Sequence, residues 1–271
     1  MTDPVVVSTG WVAERIGTPR LRIIDVSTSS GGFASGHLPR AVEIVWKRDL
    51  IPYEDESSGH VIDPHRFAAV ARRLGLRPND TLVFYGDEGG RHAIRALWTF
   101  AYYKHPGALH WMDGGREKWR AEGRPLSDET PEVEPSDYPA PSARDDSIRI
   151  DRKEIQSRLR DASFAVLDVR TDAEYAGTDL RAARGGHIPG AQHVFWEDAL
   201  QPDGSLKPRD ELARIYAAVP RDATVAVHCQ LGVRAAHTWL VLHHVLGYPD
   251  VRNYDGSWQE WGNASDTPIE S

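Results

Sequence analysis

The sequence contains a single cysteine, Cys229, among its 271 residues. One thiol rules out an intramolecular disulfide and a metal site built from several cysteines. We therefore expect no metal ion, no cofactor and a reducing compartment such as the cytoplasm. The chain also lacks an opening apolar run after basic residues and any stretch of about 18 apolar residues, which predicts neither a signal peptide nor a membrane span. Its net charge of −8 argues against nucleic acids and anionic membranes as partners.

What the sequence does contain is an internal repeat. Four short segments recur in the same order in the second half: 22–26 as 165–169, 36–41 as 186–191, 83–87 as 225–229 and 112–115 as 254–257. The residues between the two copies are rich in proline and acidic side chains, a composition typical of a stiff, solvated linker. We therefore predict an N-terminal domain over residues 1–125, a linker over 126–147 and a C-terminal domain over 148–271.

Short apolar segments alternate with longer segments of helical periodicity in both copies. The predicted strands are Ile23–Val26, Leu82–Tyr85, Val166–Val169 and Thr224–His228. The predicted helices are Pro64–Leu74, Arg91–Tyr103, Arg209–Ala218 and Ala235–Leu246. This alternation predicts the α/β class, with a mostly parallel sheet covered by helices on both faces in each of two domains. Ligands of such sheets bind beyond the carboxyl ends of the strands, where Cys229 lies.

Cys229 stands where a predicted strand turns into a predicted helix. Such a turn directs backbone N–H groups inward, and the positive end of the helix dipole adds to them, so both favour the thiolate over the thiol. The polar and small residues Gln230, Gly232 and Arg234 follow directly, which is unlike a core sequence. We predict a nucleophilic cysteine, with a buried structural cysteine as the open alternative. The predicted active-site loop comprises Gln230, Leu231, Gly232, Val233, Arg234 and Ala235.

The spacing between Cys229 and Arg234 indicates the kind of chemistry. Cysteine phosphatases carry a C-x5-R loop followed by Ser or Thr, whereas this chain has C-x4-R followed by Ala235. The shorter loop suits one extra sulfur on the cysteine better than a tetrahedral phosphate. With the segments 168–170, 186–191 and 254–258, it resembles the tandem-domain rhodaneses, a family of thiosulfate and 3-mercaptopyruvate sulfurtransferases. Their first domain carries an acidic residue in place of the cysteine, and the repeat places Asp87 there.

The resemblance implies a sulfur transfer in two steps. The Cys229 thiolate would attack the outer sulfur of thiosulfate, sulfite would leave, and a persulfide would remain on the enzyme. A thiophilic acceptor would then take the sulfur, with cyanide, a cellular thiol or thioredoxin as candidates. The backbone N–H groups of residues 230–235 would stabilise the persulfide anion.

Further site residues are predicted around Cys229. Arg234 is the first candidate for binding the sulfonate end of thiosulfate, because a guanidinium matches oxyanions. The resemblance adds Arg181 and Arg184 as further basic candidates. Trp196 is predicted to line the mouth of the cleft. We expect Arg170 to pair with an acid such as Asp172 or Glu174, and Asp168 to support the loop from beneath.

Three alternatives to thiosulfate sulfur transfer remain open. The mercaptopyruvate enzymes usually carry a hydroxyl residue close to the cysteine, where this chain has Gln230 and Leu231, which favours thiosulfate over 3-mercaptopyruvate. The second alternative is a cysteine phosphatase or arsenate reductase, which the C-x4-R spacing and the missing second cysteine disfavour. The third is a non-catalytic rhodanese-like binding module, which the presence of Cys229, Gly232 and Arg234 disfavours.

Overall fold

The computed structural model describes residues 4–28, 30–52 and 58–271, and these divide into two compact units. The first unit takes most of the described chain up to Asp145, together with Gln201–Leu206. The second takes residues 58–60, Asp146–Leu200 and Lys207–Ser271. Within the described ranges, no helix has both the length and the apolar character needed to cross a membrane.

The first unit contains a parallel sheet. Its strands β1 to β5 are Val6–Val7, Leu21–Ser27, Val42–Val45, Thr81–Tyr85 and Leu109–Met112. Its helices α1 to α6 are Thr9–Ala13, Ser30–Ala34, Trp46–Asp49, Pro64–Arg73, Arg91–Tyr102 and Gly115–Ala121. Among the described residues the sheet has five strands in the order β1-β5-β4-β2-β3, and every pair is parallel.

The second unit repeats this plan. Its strands β6 to β9 are Phe164–Asp168, Gln192–His193, Thr224–His228 and Val251–Asn253. Its helices α7 to α11 are Arg152–Arg158, Asp172–Tyr175, Arg209–Ile215, Val233–Leu240 and Ser257–Trp261. The described residues form a four-stranded sheet in the order β7-β6-β8-β9, again with every pair parallel. The α/β class with two similar domains, predicted from the repeat, is confirmed.

The two cores use corresponding positions of the repeat. In the first unit, one cluster of buried side chains includes Ile23, Leu38, Val83 and Trp119. In the second, the equivalent cluster includes Val166, Ile188, Ala226 and Trp261. The apolar strand residues thus face helices in both units, as expected for parallel strands, which are usually covered on both sides.

The helices end earlier than their periodicity predicts. Helix α4 begins at Pro64 because the Asp63 side chain accepts hydrogen bonds from the N–H groups of His65 and Arg66, at 2.8 and 3.1 Å. It ends at Arg73 rather than Leu74. The helix predicted over Ala235–Leu246 starts at Val233 and changes after Leu240 into a π-helical turn at Val241–Val245.

The proline- and acid-rich segment predicted as a linker runs along the first unit over most of its length. Tyr138 is buried, its hydroxyl lies 2.8 Å from Nδ1 of His105, and its carbonyl accepts from Nε of Arg72 at 2.7 Å. Ser127 and His37 exchange backbone hydrogen bonds of 2.8 and 2.9 Å. The segment as far as Asp145 therefore contributes buried contacts to the first unit.

The sheet registers align the two units differently from the sequence repeat. Asp25 pairs with Tyr85, and its counterpart Asp168 pairs with His228, so Gly86 rather than Asp87 occupies the position of Cys229. The following helices begin at Arg91 and Val233. The loop of the first unit is therefore one residue longer than the loop that carries Cys229. Whether Gly86 or Asp87 is taken as the equivalent of Cys229, the first unit has no thiol at this position.

Candidate active site

Cys229 follows directly on β8, an inner strand of its sheet. Gly232 adopts a left-handed conformation, with φ of +69°, and helix α10 starts at the next residue. The first hydrogen bond of this helix runs from the N–H of Ala236 to the carbonyl of Gly232, at 3.2 Å. The N–H groups of residues 233–235 therefore have no acceptor within the helix and are available to an anion beside it.

Arg234 binds Glu174 through two hydrogen bonds. Its Nη1 donates to Oε2 of Glu174 at 2.7 Å, and its Nη2 donates to Oε1 at 2.8 Å. Thr171 holds the same carboxylate, since its backbone N–H and its hydroxyl both donate to Oε2, at 3.0 and 3.1 Å. Thr171 also caps helix α8, so the start of this helix fixes the position of Arg234.

This ion pair shifts the pKa of both partners. Burial alone would raise the pKa of Glu174, but the hydrogen bonds and charge of Arg234 outweigh it and lower that pKa to about 2. Burial alone would lower the pKa of Arg234, yet Glu174 and Cys229 together raise it. The charges of Arg234 and Cys229 also interact, which adds to this rise in the pKa of Arg234. Its charge therefore acts on both the Glu174 carboxylate and Cys229.

The ion pair between Arg234 and Glu174 predicts how the free energy of unfolding changes in acid. The pKa of Glu174 falls from 4.5 to about 2 on folding, so its contribution is fully present above pH 4.5 and is lost as the pH drops through 2. The contribution is about 3 kcal/mol at neutral pH. We expect the difference in unfolding free energy between the parent and Glu174→Gln to shrink steadily over this window in urea titrations.

The control for this experiment is Asp210→Asn, which removes an ion pair with Arg214 in which both side chains are about three-quarters exposed. Water screens such a pair, so this variant should follow the parent closely at every pH. A Glu174→Gln difference that stays constant between about pH 5 and 2 would contradict the assignment.

A buried charge cluster lies at the end of β6. Arg170 donates through Nε and Nη2 to both carboxylate oxygens of Asp168, at 2.6 to 3.0 Å, and through Nη2 to the carbonyl of Gly186 at 2.8 Å. Burial lowers the pKa of His228 to about 4, so this residue is neutral at pH 7 although its Nε2 lies 3.4 Å from Asp168. Arg170 also stacks 4.3 Å above the Trp258 ring.

The partner predicted for Arg170 was wrong. Asp168 binds it, because Glu174 is occupied by Arg234 and because the side chain of Asp172 is almost fully exposed. Burial would raise the pKa of Asp168, but the charge that His228 gains in acid and the charge and hydrogen bonds of Arg170 lower it. The carboxylate therefore stays ionised, and it lies beside His228, the last residue of β8 before the loop.

The other basic candidates are engaged elsewhere. Arg184 donates to the backbone carbonyls of Gly262, Trp261 and Thr267, at 2.9 to 3.3 Å, and thereby anchors the C-terminal segment. The side chain of Arg181 is 57% exposed and pairs with Asp179. Only the carbonyl of Arg181 reaches the loop, where it accepts from Nε2 of Gln230 at 2.9 Å. Neither guanidinium is directed at the cysteine by these contacts.

Trp196 does not line a cleft mouth. It is 2% exposed and packs edge-on against His237, with ring centroids 5.0 Å apart. An indole at the start of the short 3₁₀ turn Trp196–Ala199 fills the core between this turn and helix α10. The prediction assumed an exposed aromatic residue, and the burial of Trp196 excludes this.

Residues without a predicted role touch the loop. Asn253 and Ser257 hydrogen-bond to Gly232, and Ser257 also bonds to the N–H of Cys229. Gly59 packs so closely on the carbonyls of Leu231 and Asp255 that a Cβ there would lie 2.7 and 2.3 Å from their oxygens. Ser257 belongs to the repeated 254–257 segment, in which the first copy ends in glycine. This difference between serine and glycine is the sequence signal that could have identified Ser257.

No cluster of three or more His, Cys, Asp or Glu side chains within the described part of the chain is placed to hold a metal ion. The protein is thus of the α/β class, with its single cysteine in a loop between an inner parallel strand and the start of a helix. Residues 8–122 and 151–264 match the rhodanese-like domain family, and the chain belongs to that family.

The curated relatives match over almost their full lengths. A thiosulfate sulfurtransferase of Corynebacterium glutamicum is 40% identical, with 98% of this chain and 90% of the relative covered. Sulfur carrier protein TtuD of Thermus thermophilus is 38% identical, with 98% and 96% covered. The crystal structure of an anaerobic ergothioneine biosynthesis enzyme from Chlorobium limicola shares the fold, with a TM-score of 0.85, 23% identity and coverage of 98% and 70%.

Proposed function

We propose that this protein is a thiosulfate sulfurtransferase that carries the transferred sulfur as a persulfide on Cys229. The observation that supports this most directly is the place of Cys229 at the end of the inner strand β8, next to the free N–H groups at the start of α10. The positive charge of Arg234, on the first turn of that helix, acts on the same cysteine. Both stabilise negative charge on sulfur, which the attacking thiolate and the persulfide each carry. The name of the Corynebacterium relative points to the same donor.

The proposed reaction balances without an external oxidant. In the first half, the Cys229 thiolate attacks the outer sulfur of thiosulfate, a new sulfur–sulfur bond forms, and sulfite leaves with the electron pair of the broken bond. In the second half, the acceptor attacks the outer sulfur of the persulfide, and the Cys229 thiolate is released. Cyanide becomes thiocyanate, and a thiol becomes a persulfide.

Arg234 acts in this scheme chiefly on the cysteine sulfur. Two of its nitrogen atoms donate to Glu174, which leaves the guanidinium in one fixed orientation rather than free to follow a sulfonate. A fixed positive charge beside the sulfur requires no reorganisation when charge develops there. The sulfonate of thiosulfate binds at the N-terminus of α10, to which the fixed charge of Arg234 also attracts it.

A protein or small-molecule thiol is the proposed physiological acceptor, with thioredoxin as one candidate. The Thermus relative is named a sulfur carrier protein, which favours delivery to another molecule over release of sulfide. A cysteine that must stay reduced between turnovers favours a reducing compartment, so we place the reaction in the cytoplasm. The alternative donor, 3-mercaptopyruvate, is disfavoured because Gln230 and Leu231, neither of which carries a hydroxyl, follow the cysteine.

The experiment is an intact mass spectrum of the parent protein after incubation with thiosulfate and, separately, with 3-mercaptopyruvate. We expect thiosulfate to add one sulfur atom that a reductant removes, because the adduct is a persulfide. An adduct from 3-mercaptopyruvate alone would reassign the donor. An adduct from neither would contradict sulfur transfer, and hydrolysis of an aryl phosphate would then test the phosphatase alternative.

A further inference from the structure

The two ends of the Cys229 loop are held by one serine hydroxyl. Oγ of Ser257 accepts a hydrogen bond from the N–H of Cys229 at 3.1 Å and another from the N–H of Gly232 at 3.0 Å. It donates its proton to the carbonyl of Tyr254 at 2.7 Å. These three bonds use both acceptor sites and the single donor of a hydroxyl, so its orientation is fixed.

Asn253 holds the same loop from the other side of the Gly232 residue. Its Nδ2 donates to the carbonyl of Gly232 at 3.1 Å, and both Asn253 and Ser257 are fully buried. Gly232 is the left-handed residue at which the loop becomes helix α10. The N–H and the carbonyl of this residue are therefore each fixed by one side chain.

These contacts determine which backbone groups can serve the sulfur. The N–H groups of Cys229 and Gly232 point to Ser257 and cannot donate to a persulfide at the same time. The groups left for this task are those of Gln230 and Leu231 within the loop and those of residues 233–235 at the helix start. By closing the loop on one oxygen atom, Ser257 fixes the directions in which the remaining groups point.

Ser257 holds this position at a conformational cost. Its φ is +51°, a left-handed conformation that is unfavourable for a residue other than glycine. The first unit provides the comparison, because the same position there is Gly115, with φ of +58°. A Cβ on Gly115 would lie 2.1 Å from the carbonyl oxygen of Gly86. The strained serine is thus found in the copy that carries the cysteine.

The second holding residue is replaced in the first unit as well. The sheet registers align Asn253 with Trp111, since the former pairs with Val227 and the latter with Phe84. The Trp111 ring packs on Gly90, where a Cβ would lie 2.4 Å from its Nε1. The unit without a nucleophile therefore lacks both the hydroxyl and the carboxamide.

We propose that Ser257, assisted by Asn253, is a positioning residue for sulfur transfer, an inference that rests on the proposed function of Cys229. It acts through the loop rather than on the substrate. The closed loop presents its remaining N–H groups to the sulfur before the donor arrives, so the charge of the thiolate and of the persulfide is stabilised in advance.

The test uses Ser257→Gly in the full chain. Glycine relieves the left-handed strain, which offsets part of the lost hydrogen bonding and keeps the variant folded. We expect kcat for thiosulfate–cyanide transfer to fall on the order of 10- to 100-fold with KM little changed. We also expect the midpoint of alkylation of Cys229 by iodoacetamide to move to higher pH. A folded variant with the kcat and alkylation midpoint of the parent would overturn the proposal.

Two further variants make the result specific. Thr267→Val removes another buried hydroxyl of the second unit, one that donates to the Trp261 carbonyl at 2.6 Å. This control variant should lower thermal stability without changing kcat or the alkylation midpoint. Asn253→Leu tests the second contact if Ser257→Gly fails to fold, and should move both readouts in the same direction by a smaller factor. No movement with Asn253→Leu in that case would overturn the proposal.

The two readouts also separate this inference from the proposed function. Alkylation needs only the thiol, so the midpoint tests the loop even when the parent takes no sulfur from thiosulfate. A parent without sulfur loading, together with a shifted midpoint in Ser257→Gly, would contradict the donor while retaining the effect of Ser257 on the loop. A parent with sulfur loading and unshifted variants would contradict the positioning role alone.

Discussion

We expect Cys229→Ser to take no sulfur from thiosulfate and to lose at least about 1,000-fold in thiosulfate–cyanide transfer. A serine hydroxyl is far less acidic than a thiol and cannot form a persulfide, so both halves of the reaction lose their carrier. The substitution exchanges a buried sulfur for a smaller oxygen at a residue that is 1% exposed, which leaves the shape of the loop nearly unchanged.

The chain offers an unusually clean measurement of this effect. Cys229 is its single cysteine, so a sulfur adduct seen by intact mass has no other thiol on which to form. Parent and Cys229→Ser are compared after the same exposure to thiosulfate, with circular dichroism as the check of folding. A reductant-labile sulfur on the folded serine variant would show that the carrier is not this residue.

The second large effect concerns Arg234→Met, which keeps much of the side-chain length but removes the charge. Glu174 then remains with its carboxylate buried and without the guanidinium, and breaking such a pair destabilises a protein by about 3–5 kcal/mol. Transfer should also fall on the order of 100-fold, because the fixed positive charge beside the sulfur is gone. Urea unfolding and steady-state transfer measure the two losses separately.

A double variant separates the structural and chemical parts of this loss. Arg234→Met combined with Glu174→Gln buries no uncompensated charge, so we expect much of the stability to return. Transfer should stay low, because the charge on the sulfur side is still missing. Recovery of transfer together with stability would show that Arg234 acts only by holding the fold.

The fold and the position of Cys229 between a strand and a helix could be predicted because their signals are local. The sequence pattern alone indicates apolar strands such as Thr224–His228 and the amphipathic helix that follows. The internal repeat supports each of these assignments a second time, because the same pattern occurs in both halves. The place of Cys229 follows from these two elements alone. Its immediate neighbours Gly232 and Arg234 follow with it.

The partners of the charged side chains could not be predicted in the same way. Arg184 binds carbonyls of residues 261–267, roughly 80 positions along the chain, and no local pattern records such a contact. Arg234 and Glu174 are separated by 60 residues. The burial of Trp196, which packs against His237 about 40 residues further along the chain, depends likewise on a distant segment. Tertiary contacts decide these features.

The longer loop of the first unit also sets a limit on how this protein can evolve. Gly86 stands level with Cys229, but one additional residue separates it from the following helix. A codon change that introduced cysteine at Gly86 would place a thiol in a loop that is one residue longer than the Cys229 loop. Position 115 would still be glycine, where the second unit has Ser257. A loop equivalent to that of Cys229 would therefore require a deletion as well as point changes in the first unit.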